Sequence, residues 1–151
     1  MIASGRQYSP FRDVRFNVAL LLGPLFWTGW FFFSQPVLKL SWVIRHPDKF
    51  FILAVMFPVL EEIVFRGWIQ SAFSRISKGA RLTPALSVSN LLTSLVFSLF
   101  HLFFHSVFWS LMVMIPSLIF GYFKERHGYL LPCIILHIFY NAGYFLLFSF
   151  F

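Results

Sequence analysis

The chain has 151 residues, 59% hydrophobic and only 11% charged, and its net charge of +7 reflects 5 acidic residues against 12 basic ones. Soluble domains are about 45–50% apolar and about 25% charged, so a water-exposed globule is excluded and a bilayer is the solvent that fits. The basic residues sit in short hydrophilic breaks, with no tract suited to a phosphate backbone, so they read as topology determinants and no nucleic-acid partner is expected.

Arg6, Arg12 and Arg15 precede the first apolar run, about 16–33. This looks like a signal peptide, but "FFFSQPV" after it offers no small-x-small cleavage site, which predicts an uncleaved first span. In "SQPVLKLSWVIRHPDK", Leu38, Leu40, Trp42, Val43 and Ile44 mix with Lys39 and Arg45, the pattern of an interfacial helix. A second span is predicted over about 51–73 and a third over about 85–104, with Pro84 in the third's first turn. The break at "FFHSVF" lacks Gly, Pro and formal charge, so a re-entrant turn is an alternative to two full crossings. A fourth span, about 107–123, is separated by "KERHG" from a fifth, about 129–150.

The expected fold is therefore an all-α, polytopic transmembrane bundle of about five spans, a single domain over 1–151 with its functional core at about 51–150. With the N-terminus inside, eight of the basic residues outside the spans fall on the cytoplasmic side and three opposite, which predicts N-in, C-out. The single cysteine, Cys133, rules out an internal disulfide and a multi-cysteine metal site and reads as helix packing.

The chemistry lies in the polar residues these spans carry. In "MFPVLEEIVFRGW", Glu61, Glu62 and Arg66 fall near mid-membrane, where each ionisable group costs at least ~2.5–3.5 kcal/mol. Glu62 and Arg66 stand i,i+4 and can pair as a structural ion pair, whereas Glu61 points about 100° away and is left over. Pro58, one turn earlier, deprives a carbonyl near Ala54 of its helical donor. His101 and His105 lie at the end of span three, and His137 and Asn141 share a face of span five. A carboxylate beside a histidine can take a proton from water, and a His/Asn pair can donate hydrogen bonds to a developing oxyanion. No serine or cysteine has a base at motif spacing, so water is the expected nucleophile, attacking an acyl group. Glu and His are also zinc ligands, with His101/His105 the only His pair at ligand spacing, so a divalent metal is an alternative to the expected absence of any cofactor.

These residues resemble the CPBP family of intramembrane proteases, which includes type II CaaX prenyl endopeptidases and bacteriocin-processing or immunity proteins. Its EExxxR motif is matched by Glu61, Glu62 and Arg66, its FxxxH by Phe97 and His101, and its HxxxN by His137 and Asn141. The resemblance implies that Glu61 and His101 activate water while His137 and Asn141 stabilise the oxyanion. It implies a glutamate-type protease, although members were once called metalloproteases, acting on a membrane-anchored protein or peptide in a bacterial cytoplasmic membrane. The short N-terminal region is similar to that of bacterial members linked to protein sorting, including the JDVT-CTERM type, and implies removal of a C-terminal anchor. Two other readings share the composition: a non-enzymatic immunity protein against a secreted peptide, and a proton or ion transporter. The second predicts a continuous polar path, yet spans one and four supply almost no ionisable residue.

Overall fold

The computed structural model describes residues 9–34 and 40–148. Arg6, Leu38 and Lys39, used above for orientation and for the interfacial helix, lie outside those residues. A short 3-10 turn, Pro10–Arg12, leads into α1 (Val14–Ser34). After α2 (Leu40–Arg45), His46 breaks the chain and Pro47 opens a helical run that continues to Ile76. Within the segment expected to form an interfacial helix, α2 is one short piece with Trp42 buried and Ile44 exposed.

The run from Pro47 to Ile76 is not a uniform α-helix. It consists of α3 (Pro47–Phe51), a π-helical stretch (Ile52–Met56), α4 (Phe57–Glu62), a second π-helical stretch (Ile63–Ile69) and α5 (Gln70–Ile76). π-Helical turns are rare and recur at functional sites. Here the two stretches flank the Pro58–Glu62 segment that carries both glutamates, and the second contains Arg66.

Between α5 and α6 (Val88–His101) stands a small antiparallel hairpin, β1 (Arg81–Thr83) with β2 (Leu86–Ser87), which the all-α pattern did not foresee. Pro84 belongs to its turn and not to the first turn of the helix. The start of α6 is set instead by Ser87, whose hydroxyl accepts from the Asn90 N–H as an N-cap.

At "FFHSVF" the chain turns after His101, and Ser106 caps a new helix, α7 (Val107–Met112), so spans three and four are separate helices. Pro116 has no N–H to offer Met112, and the helix breaks at Val113 before continuing as α8 (Met114–His127). Gly128, at a left-handed φ of 78°, closes α8. Finally, α9 (Leu131–Phe148) follows.

Among the described residues, three helices are long and apolar enough to cross a membrane: Val14–Phe33, Val107–His127 and Leu131–Phe148. Predicted span two is the composite α3–α5 run, and span three is α6, only 14 residues long. α8 packs against α6 and α9, and α1 against α9. Phe16, Ala19, Phe120, Phe123, Cys133 and Leu136 form the apolar core.

Polarity is distributed as a bilayer demands. Glu62, Arg66, Gln70, Thr93, Ser94 and Ser117 are fully buried, while Leu21, Phe33, Trp68, Leu99 and Phe103 face outward. Apolar surroundings cannot satisfy polar groups, so those groups turn to one another inside the bundle. At one end, Arg126 and His127 pair with Asp13, Arg15 donates to the Tyr122 hydroxyl, and Arg81 faces Glu125. The start of α1, the hairpin and the end of α8 therefore meet there, gathering much of the basic charge.

Candidate active site

Three elements bring the predicted residues together. The α4 segment and its following π turn carry Glu61, Glu62 and Arg66; α6 carries Phe97 and His101; α9 carries His137 and Asn141. The Glu62–Arg66 pair forms as expected, with Arg66 Nε 3.2 Å from Glu62 Oε2 and both side chains wholly buried.

The expected separation of that pair from Glu61 does not hold. His137 Nδ1–H donates to Glu62 Oε1 at 2.8 Å, while His137 Nε2 stands 3.6 Å from Glu61 Oε2. One imidazole thus touches both carboxylates, one at each ring nitrogen. Glu62 is part of the site, since it fixes which nitrogen of His137 is turned toward Glu61. Cys133, one turn before His137 on α9, is buried and donates its thiol hydrogen to the Leu130 carbonyl at 2.8 Å.

Rings hold the imidazole in place. Phe120 stacks on it at a centroid distance of 4.6 Å, and Phe97 meets it edge-on at 6.1 Å. The Phe97 ring also lies 5.4 Å below the Arg66 guanidinium and 4.4 Å from the His101 ring, so it separates the two histidines. Nothing in the sequence singled out Phe120, which is one apolar residue among many.

His101 does not pair with Glu61. Its Nδ1–H donates to the Phe97 carbonyl at 2.9 Å, which leaves Nε2 as a lone-pair acceptor. Asn141 Nδ2 donates to the Leu53 carbonyl at 3.4 Å, a long contact that spends one of its two amide hydrogens weakly. Its partner follows from the backbone. In the π stretch, the Phe57 N–H reaches back five residues to Ile52, so the next carbonyl in that register, Leu53's, would be served by residue 58. That residue is Pro58, which has no N–H. The freed carbonyl is therefore Leu53's, one residue before the Ala54 expected from α-helical spacing, and Asn141 turns to it.

Residues that could hold a metal do not converge. Among the described residues, no three His, Cys, Asp or Glu side chains form a ligand group. The His101 and His105 rings stack face to face at 5.8 Å, with their planes 19° apart. The residues present do not fit the metal alternative raised by the sequence, and no step below is routed through one.

Fold and site together define an integral membrane protein with a Glu–His–Glu–Arg cluster inside a helix bundle, in which Glu62, Arg66 and His137 are buried and Glu61 partly exposed. The family model for type II CAAX prenyl endopeptidases, Rce1-like, matches residues 42–143, and the chain belongs to that family. It is an intramembrane endopeptidase of the CAAX type, and the match spans all three motif-bearing helices. Comparison with curated proteins and with solved structures gives no match.

Proposed function

We propose that the chain hydrolyses a peptide bond of a membrane-anchored protein or peptide, using water activated by Glu61 and a His137/Asn141 oxyanion site, without a metal. The observation that carries this reading is His137 bridging both carboxylates. With Nδ1–H committed to Glu62, only a doubly protonated His137 has an N–H at Nε2 for an oxyanion. The 3.6 Å gap to Glu61 exceeds a hydrogen bond, so that N–H is free to turn to an incoming oxygen.

The sequence of events then balances. Water is oriented by the His101 Nε2 lone pair and loses a proton to the Glu61 carboxylate as its oxygen attacks the scissile carbonyl carbon. The carbonyl oxygen becomes negative and accepts from His137 Nε2–H and Asn141 Nδ2–H. As the C–N bond breaks, Glu61 returns the proton to the leaving amine.

The substrate class, a protein or peptide whose C-terminal anchor is removed, rests on the sequence resemblance. So does an N-in, C-out placement in a bacterial cytoplasmic membrane, for which the basic end formed by α1, the hairpin and α8 would face the cytoplasm. The test is processing of an anchored reporter by the wild-type protein and by Glu61→Gln in liposomes. Loss of cleavage in a folded variant is the expected result, and unchanged cleavage would sink the mechanism.

A further inference from the structure

Arg66 is wholly buried, and Glu62 satisfies only one side of it. Its other side reaches α8, where Nη2 donates to Ser117 twice, to the hydroxyl at 2.8 Å and to the backbone carbonyl at 3.0 Å. Ser117 itself is fully buried. A continuous polar chain therefore runs from Ser117 through Arg66, Glu62 and His137 to Glu61. Four residues further along each helix the pattern repeats, with Gln70 donating to the Gly121 carbonyl at 3.2 Å and to Glu125 at 2.8 Å. Serine 117 lies in none of the three motifs, and a single serine in an apolar span carries no signal of its own.

We propose that Ser117 is a positioning residue of the proteolytic site, anchoring Arg66 so that one Glu62 oxygen stays on the guanidinium and the other on His137. The proposal rests on the proteolytic reading above. Arg66 has two hydrogen-bond acceptors, the Ser117 hydroxyl and the Ser117 carbonyl, and one ion-pair partner, Glu62 Oε2. Removing the hydroxyl shifts the guanidinium's demand onto Glu62 and draws that carboxylate off His137 Nδ1. With its Nδ1 acceptor drawn away, the His137 ring is no longer held with Nε2 toward Glu61 and an incoming oxygen.

The groups that face His137 are Glu61 and Glu62 of α4, with Arg66 of the π turn behind Glu62, and His101 of α6 across the Phe97 ring. Among these, Ser117→Ala changes only the support of Arg66.

The test is kcat and KM for wild type, Ser117→Ala, Ser117→Thr and Glu61→Gln on one anchored reporter in liposomes. For Ser117→Ala the expected result is about a tenfold fall in kcat with KM within about twofold. Ser117→Thr, which keeps the hydroxyl but adds a methyl, should restore kcat to within about threefold, a rescue that a merely structural packing role would not produce. A wild-type kcat in Ser117→Ala, a loss that only tracks the folded fraction, or a folded Ser117→Thr as impaired as Ser117→Ala overturns the proposal. If Ser117→Ala does not fold, Ser117→Cys keeps the volume with a weak acceptor and is read by the same two quantities. An active Glu61→Gln would sink the proteolytic reading itself. An inactive Glu61→Gln beside an unaffected Ser117→Ala sinks only the positioning role.

Discussion

Replacing each of the two adjacent glutamates by glutamine should produce opposite phenotypes. Glu62 is wholly buried and has a partner at each oxygen, Arg66 Nε at 3.2 Å and His137 Nδ1 at 2.8 Å. Glutamine keeps the shape but offers one acceptor and adds an amide donor, which must face one of two donors. The variant therefore leaves Arg66 buried without its counter-charge. Breaking a buried pair in this way costs about 3–5 kcal/mol. Glu61 has a single polar contact, at 3.6 Å, and its side chain is 25% exposed. Its replacement should cost less than about 1 kcal/mol, the scale of a loose and partly exposed ion pair. The assay is denaturant-driven unfolding in mixed micelles, followed by tryptophan fluorescence, alongside reporter cleavage. Glu61→Gln should be stable and inactive, and Glu62→Gln should be several kcal/mol less stable. Equal stability of the two variants would refute the division of labour drawn from their contacts.

Other perturbations probe the surroundings. Asn141→Ala should lower kcat by about 10²–10³, the cost of one oxyanion donor. Pro58→Ala gives residue 58 an N–H for the Leu53 carbonyl and competes with Asn141, so its kcat should fall between wild type and Asn141→Ala with the fold intact. Gly121→Ala places a methyl 1.9 Å from Asn90 Oδ1, on a side chain already held by the Leu118 carbonyl. It should destabilise the bundle by about 1–3 kcal/mol in the same unfolding assay. At the basic end, the hydrogen bond from Arg126 holds the Asp13 carboxyl below its ordinary range. A carboxylate lowered in the folded state binds fewer protons there than when unfolded, so its contribution is present above the unfolded value of about 4 and is lost as pH falls through the folded one. Unfolding midpoints from about pH 6 to about pH 3 should therefore fall more steeply in wild type than in Asp13→Asn.

Much of this was legible in the sequence because membrane burial makes each polar residue costly and therefore conspicuous. The apolar runs mark the helices, and Glu61, His101, His137 and Asn141 stand out as residues needing partners. The i,i+4 rule also gave the Glu62–Arg66 pair, since it concerns a single helix. Contacts between helices were not legible. A helical wheel sets Glu61 and Glu62 on different faces, but one imidazole has two nitrogens and touches both carboxylates. The backbone register was equally hidden, since α-helical spacing assigns the carbonyl freed by Pro58 to Ala54 and the π stretch moves it to Leu53. The hairpin was missed because "RLTPALS" reads as a helix entry when Pro84 is placed at a first turn. Phe120 and Ser117 are ordinary residues in an apolar helix, and only packing shows one on the His137 ring and the other on Arg66.

The most direct test of the account is cleavage in ¹⁸O-labelled water. The purified protein would be placed in liposomes with an anchored reporter and the products read by mass spectrometry. The account predicts one cut with the label in the new C-terminal carboxylate, and no product from Glu61→Gln at equal folded protein. Cleavage by Glu61→Gln at the wild-type rate would contradict it.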